Sequence, residues 1–298
     1  MAGTRRRATE AGNDAWAEID LMSPLAAVSL LVGESATAQA AVEAAAPALA
    51  ALVEKAVERL RAGGRLVYAG AGSAGMLAQL DAAELQPTFG FAAERTIVLL
   101  AGASMPPAAR AGAEDDDEAG RAEASDLHLG AADVVLAVSA SGETPYPLAA
   151  LEVAVEAGAL TAALVCNAGS PMAAIADHAV ELATGPEVIA GSTRLKAGTA
   201  QKLALNAFST ATMVGLGLTF GNAMAAVRAD NEKLRDRAVR LLVAAVGCEP
   251  AAARATLEEA GWEVPVALVS LAAEVDVEVA RARLAAAGGA IRKAVEGR

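Results

Sequence analysis

The strongest constraint on the fold is a unit that recurs along the chain: a short, nearly continuous apolar run, a turn rich in Gly or Ser, then a helical run. Residues 65–69 (RLVYA) lead into Gly70-Ala71-Gly72-Ser73-Ala74-Gly75 and a helix from about Met76 to Glu84. Residues 96–100 end at Ala101-Gly102. Residues 133–138 end at Ser139-Ala140-Ser141-Gly142, ahead of a helix from about Pro145 to Ala157. Residues 161–166 end at Asn167, and 179–182 form a short fifth run. Such strands have no polar side, so both faces must be covered, and helices lie between them in sequence. The pattern predicts an α/β three-layer sandwich with a mainly parallel sheet. Ligands of such sheets bind beyond the carboxyl ends of the strands. Here those ends are Gly70 to Gly75, Ser139 to Gly142, Asn167 and the stretch starting at Gly185.

The flanks divide the chain further. Residues 1–22 read as a polar arm, and Ser23-Pro24 opens a helix with Ser as cap and Pro in the first turn. A second helical run covers about 36–62 and stops at Gly63-Gly64. After Asn231-Glu232-Lys233 only short amphipathic runs follow, at 236–247, 250–260, 265–275 and 277–295. The expected division is an arm (1–22), an α/β domain (23–239) and a small all-helical domain (240–298). The uncharged stretch 203–227 is long enough to cross a bilayer. It carries Asn206, Ser209, Thr210, Thr212, Thr219 and Asn222, so it reads as a buried helix, a break near Gly221 and a second helix. Arg5, Arg6 and Arg7 precede a polar, acidic segment, not the apolar core of a secretory signal. A soluble cytoplasmic protein with no membrane partner is expected.

Charge and composition exclude several functions. A net charge of -12 repels phosphodiester polymers, and 3 % aromatic residues supply no stacking platform, so nucleic acid is not an expected partner. Cys166 and Cys248 make no disulfide framework, and His128 and His178 are too few for a histidine metal centre, so no metal is expected. The Gly70 to Gly75 loop has the GxGxxG form, but the next strand ends at Leu100-Ala101-Gly102 without the acid a dinucleotide site needs. No organic cofactor is expected; the loop reads instead as amides and Ser73 cradling one phosphate or sugar group.

Two segments carry polar chemistry. Residues 185–202 (GPEVIAGSTRLKAGTAQK) mix Glu187, Ser192, Thr193, Arg194, Lys196, Thr199 and Lys202 with glycines, a donor-rich set suited to an anionic, oxygen-rich ligand or, more simply, a loop opening a helix. Residues 139–146 (SASGETPY) place Ser139, Ser141 and Thr144 around a glycine between a strand and a helix. With free helix-start amides these hydroxyls form a phosphate cup; in the simpler alternative Thr144 caps the helix begun at Pro145.

The Ser-x-Ser-Gly-Glu-Thr pattern after an apolar strand resembles the sugar isomerase (SIS) domain, a phosphosugar-binding module. The chain further resembles the N-acetylmuramic acid 6-phosphate etherases from about residue 8 to the end. The matching segments are TEAGN at 9–13, DAAELQPTFG at 81–90, GAEDD at 112–116, CNAGS at 166–170, the 185–206 segment, GNAM at 221–224 and NEKL at 231–234. The resemblance implies a SIS-type sheet and a cofactor-free lyase. It would cleave the D-lactyl ether of N-acetylmuramic acid 6-phosphate by elimination across C2–C3 and addition of water, giving N-acetylglucosamine 6-phosphate and D-lactate. It also implies a homodimer and leaves open whether one subunit or two supply the site.

By the same match Glu84 is the acid that protonates the departing lactate. Partial burial beside Leu85 and Pro87 would favour its protonated form, whereas read alone it is a helix-end surface carboxylate. Glu114, first in Glu114-Asp115-Asp116-Asp117-Glu118, is by the match the base at C2 and the activator of water; read alone the run is a solvated helix face. The phosphosugar contacts expected are Ser73, Ser139, Ser141, Thr144, Glu187, Ser192, Thr193, Arg194, Lys196 and Lys202. The chain departs from the family at Ala74, Met76 and Glu143, where a hydroxyl and two arginines are usual. A sugar-phosphate-binding regulator, a paralogue for a related amino-sugar phosphate and an aldose–ketose isomerase are the competing expectations.

Overall fold

The computed structural model describes residues 8–106, 112–226 and 232–297. Arg5 to Arg7 and Asn231 lie outside the described residues. Two compact units are formed, Met1–Ala82 with Thr96–Ser209, and Ala83–Arg95 with Thr210–Arg298.

The first unit is built on five strands: β1 (Leu66–Gly70), β2 (Thr96–Leu100), β3 (Val134–Ser139), β4 (Leu160–Val165) and β5 (His178–Glu181). All pair in parallel, in the order β2-β1-β3-β4-β5. The chain leaves β1 toward one edge and β3 toward the other. The gap beyond their carboxyl ends is therefore the topological switch point, where open α/β sheets bind ligands. The helices between strands are α1 (Pro24–Glu34), α2 (Ala36–Arg61), α3 (Gly72–Phe89), α4 (Asp117–Asp126), α5 (Pro145–Glu156), α6 (Pro171–Ile175) and α7 (Lys196–Leu216).

Strand alternation sorts the core into two layers. Val67, Ala69, Leu99, Val135, Ala137, Ala163 and Val165 bury one face together with Ala124 of α4 and Tyr146, Ala150 and Leu151 of α5. On the other face Tyr68 points at α3, where its hydroxyl donates to Asp81 Oδ2 at 2.8 Å. Ser209 of α7 donates to the second oxygen of the same carboxylate at 3.0 Å, so Asp81 joins a strand and two helices. Burial and the adjacent Asp81 charge push the Tyr68 phenol well up. At the opposite end of the strands Arg65 and Asp133 form a half-buried ion pair at 2.7 Å. Burial alone raises the Asp133 carboxyl, but hydrogen bonds from Arg65 and the Gly130 amide outweigh it and hold the carboxyl below its usual range.

The helix after β1 is longer than expected. α3 starts at Gly72, directly after β1, and continues to Phe89. Its start needs two glycines: a Cβ on Gly70 would lie 2.7 Å from the Gly75 Cα, and one on Gly75 would lie 2.7 Å from Gly70. Strand end and first helical turn touch with no room for a side chain.

The second unit has its own core. Helices α8 (Glu232–Val246), α9 (Pro250–Glu259), α10 (Val264–Ala273), α11 (Val277–Ala286) and α12 (Ile291–Glu296) surround Leu242, Leu257, Val264, Leu268 and Ile291. The single run expected over 277–295 is two helices, divided at Gly288-Gly289, both with positive φ. The expected break near Gly221 falls earlier: α7 ends at Leu216, where Gly217 takes φ +84. A Cβ there would sit 2.8 Å from the Ala290 side chain, and no second helix forms over 217–226. The expected boundary at 239/240 lies inside α8; the division falls within α3 and α7, which run across it without a linker.

The helical stretch Pro24–Arg61 is long and apolar enough to cross a membrane, with a mean hydropathy of 1.4. It is broken at Ser35, and α2 buries Ala38, Leu49, Leu52 and Ala56 in the first unit. α1 buries nothing; Leu25, Val28 and Val32 are exposed.

Candidate active site

A cavity of about 430 Å³ opens at the switch point, and every residue lining it belongs to the first unit. Its walls come from five places. The β1–α3 loop gives Ala71, Gly72, Ser73 and Ala74; the β3–α5 loop gives Ser139, Ser141, Glu143 and Thr144. The segment before α4 gives Glu114 and Asp115, the approach to α7 gives Gly191 and Thr193, and the second turn of α7 gives Gln201. The fifth contribution, Glu10, is from the N-terminal arm.

The β3–α5 loop is shaped by its hydroxyls. Ser139 Oγ lies 2.8 Å from Thr144 Oγ1 and 3.3 Å from Ser141 Oγ, and the last two are 3.4 Å apart. Ser139 accepts from the Gly142 amide at 3.0 Å, and Ser141 from the Glu143 amide at 3.2 Å. Gly142 has φ +71, and a Cβ on it would meet Ser170 Oγ at 2.1 Å. Thr144 occupies the N-cap position of α5 but makes no capping hydrogen bond; its hydroxyl joins the cluster instead. The helix itself contributes fewer amides than expected. Pro145 and Pro147 have no N–H, so Tyr146 carries the single N–H of those three residues. Hydroxyls, more than helix amides, make this cup.

Glu114 is exposed and lies over the first turn of α3, where a Cβ on Gly72 would be 3.7 Å from its Oε2. Glu10 of the arm lies against the loop before α7: a Cβ on Gly191 would be 3.0 Å from its Oε2. The arm is tethered beside Glu10. The buried Thr9 accepts from Asn167 Nδ2 at 3.0 Å, and its amide donates to Asn167 Oδ1 at 3.4 Å.

The cavity thus unites Ser73, Glu114, Ser139, Ser141, Thr144 and Thr193 of the residues singled out from sequence. The others sit elsewhere. Glu187 is buried and caps α7, accepting from the amides of Lys196 and Ala197, both at 2.9 Å. Lys196 is also buried; its ammonium donates to Glu34 at 3.1 Å and lies 4.7 Å from the centre of the Trp16 ring. Arg194 and Lys202 line an adjoining groove with Met76, Leu77, Leu80 and Leu203, sharing only Ser73 with the cavity. Ser192 lines neither. Glu84 is carried by the second unit and is exposed, so the expected burial beside Leu85 does not occur in the single chain. The cavity's described lining contains four carboxylates, Glu10, Glu114, Asp115 and Glu143, and no Lys or Arg. Among the described residues no group of His, Cys, Asp and Glu is arranged to hold a metal ion.

Sequence reading missed Glu10 and Gln201 as wall residues. Both lie in segments that match the family, TEAGN and AGTAQK, but neither segment shows by itself that its side chain reaches the cavity.

Comparison with known proteins narrows the class. The SIS domain model matches residues 117–211, from the start of α4 through most of α7. A solved structure of a candidate phosphosugar isomerase involved in capsule formation from Bacteroides fragilis aligns with a TM-score of 0.50 at 22 % identity. The match covers 64 % of this chain and 91 % of that one, and it shows the shared fold. Fold and strand-end loops are those of a SIS-domain protein. Full-length relatives go further: N-acetylmuramic acid 6-phosphate etherase from Rubrobacter xylanophilus is 50 % identical, covering 95 % of this chain and 94 % of the relative. The protein of that name from Deinococcus radiodurans is 48 % identical, covering 97 % and 95 %. The chain belongs to the N-acetylmuramic acid 6-phosphate etherase family.

Proposed function

We propose that this protein is a carbon–oxygen lyase that removes D-lactate from N-acetylmuramic acid 6-phosphate and returns N-acetylglucosamine 6-phosphate. The observation that supports the reading most is the cavity itself: a hydroxyl cluster and the Glu114 carboxylate line one cavity at the β1/β3 switch point. The phosphate would be taken by Ser139, Ser141 and Thr144, with Ser73 and the first turn of α3 beside it.

Ring opening places an aldehyde next to C2 and makes the C2 proton acidic. Glu114 removes it, the C3–O bond breaks, and the lactyl oxygen takes a proton from an acid as C2=C3 forms. Water then adds, its hydroxyl to C3 and a proton to C2, with Glu114 as the base that activates it. Glu84 holds the acid role on the family likeness alone. A homodimer is part of the proposal. It is supported by the exposed Leu25, Val28 and Val32 of α1 and by the apolar groove of Met76, Leu80 and Leu203. α1 contains no Lys or Arg to favour an anionic membrane surface.

Incubation with N-acetylmuramic acid 6-phosphate should release lactate stoichiometrically, with solvent deuterium appearing at C2. The Glu114→Gln variant should lose both by about 10²–10⁴-fold. Unchanged deuterium exchange in that variant removes Glu114 from the base role. Isomerised sugar without lactate would favour an aldose–ketose isomerase. For Glu84→Gln, loss of lactate release with intact product binding is expected, and near-normal turnover refutes the acid role. Mixing the two inactive variants should restore activity only if each site draws its two carboxylates from different subunits.

A further inference from the structure

The cavity contains a buried polar group that the proposed chemistry does not use. Gln201, in the second turn of α7, is 1 % exposed, and its Nε2 has no hydrogen-bond partner within the protein. It lines the same cavity as Glu10 and Glu114. A buried amide donor left unpaired destabilises the fold, and a ligand acceptor in the cavity it lines would complete it. The arm supplies the complementary acceptor, since the Glu10 carboxylate rests against Gly191 and is fixed through the Thr9–Asn167 hydrogen bonds.

A donor and an acceptor lining one cavity suit a ligand group with one acceptor and one donor. Its charge narrows the choice. The Glu10 carboxylate itself would repel a second anionic group placed beside it. An ammonium would pair with Glu10 but leave the Gln201 donor unsatisfied. A secondary amide meets both demands, its carbonyl accepting from Gln201 and its N–H donating to Glu10. We infer that Gln201 and Glu10 form the recognition site for the acetamido group at C2 of the sugar, and that Gln201 sets the preference for N-acylated over N-free or 2-hydroxy phosphosugars. This rests on the proposed substrate class.

The test is equilibrium binding, so that it is independent of turnover. Wild type, Gln201→Leu, the isosteric Gln201→Glu and Glu10→Ala are titrated with N-acetylglucosamine 6-phosphate, glucosamine 6-phosphate and glucose 6-phosphate, with thermal melting to verify folding. Wild type should favour the N-acetylated ligand by at least about tenfold, the worth of one well-made hydrogen bond. Gln201→Leu should lose that margin while its affinity for glucose 6-phosphate stays unchanged. Gln201→Glu should weaken the N-acetylated ligand further and strengthen glucosamine 6-phosphate. Glu10→Ala, on the arm and away from the packed core, should weaken both nitrogen-bearing ligands and carries the test if the Gln201 variants melt early. Equal loss for all three ligands in the Gln201 variants, an undiminished N-acetyl preference, or no binding of any of the three to wild type overturns the inference. Failure of the lactate assay with the binding preference intact overturns only the reaction.

Discussion

The β3–α5 loop and the Gly185 to Lys202 segment look alike in sequence, both small-residue stretches full of hydroxyls beyond a strand end. In the fold they do opposite work. In the first, three hydroxyls face one another and Thr144 leaves the helix it could cap uncapped. In the second, the strongest charges turn inward: Glu187 holds the start of α7, and Lys196 holds Glu34 and Trp16. Only Thr193, Gly191 and Gln201 of that segment reach the cavity. A fully charged group needs a partner wherever it is buried, and the nearest partner is often the protein itself. Dense charge in a motif therefore marks scaffold as readily as ligand contact, whereas hydroxyls left off a cap are the better sign of a binding surface.

Substitutions can break this contrast. Removing Ser141 and Thr144 hydroxyls together (Ser141→Ala with Thr144→Val) should cost at least about a hundredfold in kcat/KM, from two bonds to an anion at about 1.5–3 kcal/mol each. Steady-state lactate release checks it, and melting should barely move. Glu187→Ala should behave the other way. It loses two amide partners and the cap of α7, lowering stability by about 2–3 kcal/mol in urea unfolding, while KM stays near wild type. A large KM rise without destabilisation would return Glu187 to the ligand. Lys196→Met should reduce stability by about 2 kcal/mol, losing a buried ion pair and the ring contact. Its signature is local: faster amide exchange over residues 9–16 and altered Trp16 fluorescence.

The smallest effect is expected far from both segments. Asp133→Asn keeps an acceptor for Arg65 and should cost about 1–2 kcal/mol with kinetics unchanged. The Asp133 carboxyl is depressed in the fold. Its contribution is therefore present above the unfolded value of about 3.9 and lost as pH falls through the lower folded value. The stability gap between wild type and variant should be constant near neutrality and shrink in acid below about pH 4; a gap that widens in acid contradicts the assignment.

The sheet was readable because apolar runs without a polar face can be satisfied only between two layers of helices, and the strand ends followed as sites. The hydroxyl loop was readable for the same reason. The inward direction of Glu187 and Lys196 was not readable, because residue type reports chemistry but not direction. Glu10 could not be placed, since its neighbour Gly191 lies in a distant part of the chain and nothing local in TEAGN shows where the arm docks. The unit boundary escaped notice because α3 and α7 cross it in mid-helix, with no Gly or Pro linker to mark it.

The tether between Thr9 and Asn167 joins residues 158 positions apart. A ribosome adds about 5–20 residues per second, so the amino-terminal arm waits roughly 10–30 s for its anchor to be made. A nascent chain that has emitted the first three strands already owns the hydroxyl cup but lacks the Glu10 wall. Completion of the pocket is thus a late event in biogenesis: the anchor at Asn167 follows the fourth strand, and the walls at Gly191, Thr193 and Gln201 come only after the fifth.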